Sequence, residues 1–105
     1  MKFKPGCRLT DLKPQTVLAL FVCDGIFRGF GLEPTVTSVN DSKHMARSKH
    51  YTGRAFDLRT KDVPQDDRRA LVEKIKLRLT PLGFDVVWEA VGRPSEHLHL
   101  EHDPK

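Results

Sequence analysis

Two short runs near the C-terminus constrain this chain most. Phe84-Asp85-Val86-Val87-Trp88-Glu89 and Glu96-His97-Leu98-His99-Leu100-Glu101 carry apolar residues at every second position, and a period of two marks a strand with one buried and one solvated face. Residues 90–95 separate them, and Gly92 and Pro94 supply turn chemistry there, so the two runs read as a closing antiparallel hairpin. Leu98 and Leu100 then face a core while His97 and His99 share the other side. On the first strand Phe84, Val86 and Trp88 form the apolar face and leave Asp85, Val87 and Glu89 opposite.

A chain of 105 residues can cover that apolar face with only one modest core, so a single domain is expected. The covering elements are legible upstream. Pro14 and the apolar residues Val17, Leu18, Phe21, Val22, Ile26, Phe27 and Phe30 predict a first helix over residues 15–30, ended by Gly29 and Gly31. Pro34-Thr35-Val36-Thr37-Ser38-Val39 is rich in β-branched residues and reads as a strand, followed by a polar loop over residues 40–49. Arg54-Ala55-Phe56-Asp57-Leu58-Arg59, after Gly53, reads as a second strand with Asp57 on its polar face. A second helix opens near Pro64-Gln65-Asp66-Asp67 and runs through Leu71, Val72, Ile75 and Leu79 towards Pro81 and Gly83, its charges forming a solvated face. The order helix, strand, loop, strand, helix, hairpin predicts an α+β domain with a small, mostly antiparallel sheet.

Charge and cysteine usage narrow the function classes. The net charge of +4 is mild and scattered, without a basic run, and the single Trp and Tyr make no stacking ladder, so nucleic acid is not the expected partner. Cys7 and Cys23 form neither a CxxC pair nor a disulfide framework, which suits a reducing compartment. No signal peptide and no membrane span are expected, so the chain reads as cytoplasmic as synthesised.

The histidines carry the chemical signal. His97, His99 and His102 cluster at the C-terminus, and His44 and His50 lie in or beside the polar loop. His97 and His99 form a two-nitrogen edge, His50 precedes a glycine turn and Asp57 lies on the strand after it, so one oxygen and two nitrogens can converge from these segments. That donor set suits zinc with an open fourth position. The competing reading pairs Asp57 with Arg54, Arg59 or Lys61 and leaves His50 capping a turn.

Ser48-x-His50-x-x-Gly53-x-Ala55-x-Asp57, followed by Glu96-x-x-His99, resembles the two zinc signatures of the D-alanyl-D-alanine carboxypeptidase and dipeptidase family. That family includes phage endolysins cutting the L-alanyl-D-glutamate bond, and its fold is shared by the zinc-binding domain of hedgehog proteins. The resemblance spans roughly residues 34 to 104. It implies that His50, Asp57 and His99 bind Zn2+, that Glu96 is the general base, and that His97 sits beside the developing oxyanion. It implies a peptidoglycan stem peptide as substrate, and a phage or prophage enzyme that acts on the cell wall once released.

Two features qualify the match. If Glu96 lies within its strand it has the opposite parity to His97 and His99, whereas Glu89 shares their face, and some members of the superfamily similarly place a glutamate at the end of the first hairpin strand. Glu96, at the strand's mouth, stands first and Glu89 second. Many members also carry an arginine in a Ser-Gly-Tyr-Arg segment ahead of the first ligand, and Thr37-Ser38-Val39-Asn40-Asp41 stands there instead. Lys43, His44 or Arg47 are the candidates to replace it. The alternative function is a non-catalytic zinc-binding interaction module of the same fold.

Overall fold

Pro14 has its φ preset for a first helical turn and no amide to lose there, and helix α1 (Pro14–Gly29) begins on it. Gly31, at φ +76°, ends the helix, its amide donating to the Arg28 carbonyl at 2.9 Å. Helix α2 (Gln65–Leu79) has Asp66 and Asp67 in its first turn and Lys76 and Arg78 in its last, matching the helix dipole at both ends. The structure, a computed structural model, describes residues 1–7, 12–39 and 53–104.

Five strands form one sheet: β1 (Lys2–Phe3), β2 (Thr35–Val39), β3 (Ala55–Arg59), β4 (Phe84–Glu89) and β5 (His97–His102). Their spatial order is β1-β2-β3-β5-β4, with β1 parallel to β2 and every other pairing antiparallel. The domain is α+β, as expected. The edge strand β1 is too short to leave a periodic signal in the sequence. Among the described residues no helix is long and apolar enough to cross a membrane.

The core explains why one sheet face is left open. Phe56 and Leu58 of β3, Phe84 of β4, and Leu98 and Leu100 of β5 pack with Ala19, Leu20, Cys23, Ile26 and Phe27 of α1 and Leu71, Val72, Ile75 and Leu79 of α2. Burying Leu98 and Leu100 contributes about 1.5–3 kcal/mol each, and because alternate residues point oppositely it forces His97 and His99 out of the core. Helix α1 is apolar nearly all round, so its periodicity located the helix but not its buried side. The small residues Thr16, Ala19 and Cys23 face inward, while Phe21 is 65% exposed.

Helix α1 also anchors the turn into β3. The Lys13 amide and the buried Thr16 hydroxyl both donate to the Gly53 carbonyl, at 3.1 and 2.6 Å. Gly53 has φ +82°, a conformation that a side chain would disfavour. Cys7 and Cys23 form no disulfide, and burial pushes the Cys23 thiol up to about 12, which removes it as a nucleophile.

Candidate metal centre

Strands β3 and β5 are neighbours, and their register sets Asp57 directly opposite His99. The two residues are 42 positions apart in sequence, yet Asp57 Oδ1 lies 2.7 Å from His99 Nδ1. The second ring nitrogen, Nε2, faces Glu101 Oε1 at 3.1 Å. The competing expectation, Asp57 paired with a neighbouring base, does not describe this geometry: Arg59 reaches Asp62 at 3.5 Å. The hydrogen bond that His99 donates to Asp57 raises its pKa to about 9, against the opposing effect of burial and with further help from Glu101.

The next row along the same face carries Arg59, His97 and Glu89, one on each of β3, β5 and β4. Same-face residues along a strand are about 7 Å apart, so this row borders the Asp57 and His99 pair. His97 Nε2 lies 2.9 Å from Glu89 Oε1, and its Nδ1 faces the Ser95 carbonyl at 2.8 Å. Glu89 closes β4 with its side chain 51% exposed. Ala90 follows at φ +54°, a left-handed conformation that turns the chain immediately after the carboxylate.

Glu96 sits one residue ahead of β5 with the parity of Leu98, and is 2% exposed. Its Oε2 accepts from the Thr60 hydroxyl at 2.8 Å and from the Trp88 indole at 3.0 Å. Its Oε1 accepts from Arg68 at 2.9 Å and from the Gly92 amide at 3.0 Å. Burial alone pushes this carboxyl up, but the Gly92, Thr60 and Trp88 hydrogen bonds and the Arg68 charge outweigh it and hold Glu96 below its ordinary value. Arg68 in turn donates to the Val63 and Lys61 carbonyls, both at 2.7 Å. It is thus a structural clamp, whereas the sequence suggested that the charges of α2 were all solvated.

His50 and the replacement candidates Lys43, His44 and Arg47 lie outside the described residues. His102 takes no part in the centre: its ring packs against Phe84 at a centroid distance of 4.9 Å.

No family model, curated protein or solved structure matches this chain.

The residues present suit a metal by their own chemistry. One carboxylate oxygen and one imidazole nitrogen adjoin on a solvated face, and a second carboxylate holds the far nitrogen of that imidazole. Metal-bound histidines commonly have such a carboxylate on their other nitrogen, where it fixes the tautomer and orientation. Glu101 thus adjoins the Asp57 and His99 pair, although it was not among the candidates the sequence offered. The signal was available, because Glu101 continues the i, i+2 series of His97 and His99.

A second cluster adjoins the first. Asp85 and Glu101 are cross-strand partners, and with Asp103 they bring carboxylate oxygens within 4.8 Å of one another in an arrangement that could hold a metal ion. An all-oxygen set suits calcium or magnesium better than zinc.

Proposed function

We propose that the chain is a zinc-dependent peptidase acting on peptidoglycan stem peptides. The observation that carries this reading is the pairing of Asp57 Oδ1 with His99 Nδ1 at 2.7 Å, with Glu101 on the opposite ring nitrogen. Asp57 and His99 would supply two of three zinc ligands, and His50, outside the described residues, the third. Zinc bound there would act as a Lewis acid and lower the pKa of a coordinated water.

The chain's own residues then divide the remaining work. We assign Glu89 as general base, because its carboxylate is solvent-facing and shares the face of the ligand pair. Glu96 has both carboxylate oxygens committed to four donors and is held in its ionised form, which makes it a weak base and a strong scaffold. Glu89 would take the proton of the attacking water and deliver it to the leaving amine. His97, with one ring nitrogen on Glu89 and the other on the Ser95 carbonyl, would orient Glu89 as the base, and it has no ring nitrogen left for the oxyanion role that the resemblance implies.

The test is to incubate purified protein with peptidoglycan, with and without a chelator, and to identify released fragments by mass spectrometry. Release of stem-peptide fragments that stops with chelator and returns with zinc is expected. Zinc binding without release from any wall type would favour the non-catalytic interaction module instead.

A further inference from the structure

Beside the proposed centre lies a cavity of about 220 Å³ whose walls include Lys4, Thr37, Asp57, Arg59, Lys61 and His97. Its charge is unbalanced. Two carboxylates line it, and both have partners: Asp57 is on His99, and Glu96 is on Arg68 with three further donors. Against them stand three cations. Among the described residues Arg59 reaches only the exposed Asp62, at 3.5 Å, and neither the Lys4 nor the Lys61 ammonium has an ion-pair partner there. Both lysines are exposed at the rim, and Arg59 is half-buried in the wall.

The fold brings these cations together from three places. Lys4 follows β1, Arg59 ends β3, and Lys61 lies two residues further on. The register shift in β2 falls between Val36 and Ser38, at Thr37, and a bulge of this kind re-aims a side chain. Thr37 thus adds a hydroxyl to the cationic wall.

We propose that this cavity is the subsite for a carboxylate of the peptide, with the Arg59 guanidinium as its principal donor and Lys61 and Lys4 as flanking charges. A planar guanidinium matches a carboxylate in two parallel hydrogen bonds. The cavity shares Asp57 and His97 with the proposed centre, so a peptide anchored there by a carboxylate lies across the ligand pair and Glu89. The nature of the ligand rests on the peptidase reading; the preference for an anion rests on the cavity alone.

The experiment compares an acetylated dipeptide carrying a free C-terminal carboxylate with the same dipeptide as its amide, and with inorganic phosphate. Binding to the zinc-loaded protein is followed through the backbone amide resonances of Thr37, Arg59 and Lys61. The free acid is expected to bind at least about tenfold more tightly than the amide, the worth of one charge-assisted hydrogen bond, and more tightly than phosphate. Arg59→Ala should remove most of that preference, Arg59→Lys should restore part of it, and the exposed Lys61→Ala should reduce it without loss of fold. Equal binding of acid and amide overturns the subsite, and so does phosphate binding as tightly as the acid. The readout is independent of turnover. Acid-selective binding without hydrolysis keeps the subsite and sinks the peptidase, whereas hydrolysis of acid and amide at equal KM does the reverse.

Discussion

Replacing Glu96 by Ala is the perturbation that most sharply separates a scaffold from a base. The change removes an acceptor for four donors at 2.8 to 3.0 Å. It strands the Thr60 hydroxyl, the Trp88 indole N–H and the Gly92 amide, and leaves Arg68 with two carbonyls but no counter-charge. Removing one partner from a buried ion pair costs about 3–5 kcal/mol, against a total stability of about 5–15 kcal/mol for a domain of this kind. At about 4–8 °C per kcal/mol for a small domain, the melting temperature of Glu96→Ala should fall by at least about 12 °C. Urea unfolding should show a lower midpoint with an unchanged slope. Because the carboxyl is held below its ordinary value, its contribution is present above about pH 4.5 and is lost as pH falls through the lower folded value. The wild type should therefore lose this stability on acidification, and the variant has none of it to lose. A Glu96→Ala protein within about 1 kcal/mol of wild type, but with its zinc-dependent hydrolysis abolished, would refute the scaffold assignment and make Glu96 the base.

Glu89→Gln should leave unfolding within about 1 kcal/mol of wild type, since its pair with His97 is exposed, yet reduce kcat by about 100-fold or more with zinc content unchanged; retained kcat would exclude it as the base. Glu101→Ala should weaken zinc binding about 10- to 100-fold in a chelator competition, by freeing the far nitrogen of His99. His99, raised to about 9 in the metal-free protein, contributes stability that is complete below about pH 6.5 and is lost as pH rises through about 9. Thermal unfolding of the metal-free protein should therefore show a decline over that window, absent in His99→Gln. Zinc takes only the neutral imidazole, so binding at pH 7 should release about one proton from His99, measurable by calorimetry in two buffers of different ionisation enthalpy.

The hairpin was readable because its burial pattern is enforced residue by residue. Leu98 and Leu100 have no exposed surface, so the side on which His97 and His99 emerge followed from the alternation alone. The adjacency of Asp57 and His99 was not readable in that way. It depends on β5 inserting between β3 and β4, a pairing across 42 residues that no local period encodes. Glu96 illustrates the opposite limit: its parity was visible, but the partners that bury it are one side chain each from Thr60, Arg68 and Trp88. A lone Arg on a charged helix carries no mark distinguishing a buried clamp from a solvated residue. Helix α1 was a poor guide to the core because large apolar residues lie on both sides: Leu20, Ile26 and Phe27 are buried beside the small Thr16, Ala19 and Cys23, while Leu18 and Phe21 are exposed.

The most direct test of the centre is zinc K-edge X-ray absorption on the metal-loaded protein, with metal content measured alongside for Asp57→Ala and His99→Ala. One zinc per chain is predicted, with a shell of nitrogen and oxygen at about 2.0–2.2 Å, no sulfur at about 2.3 Å, and loss of the metal in both variants. A sulfur shell, or full zinc content in either variant, would contradict the assignment of Asp57 and His99 as ligands.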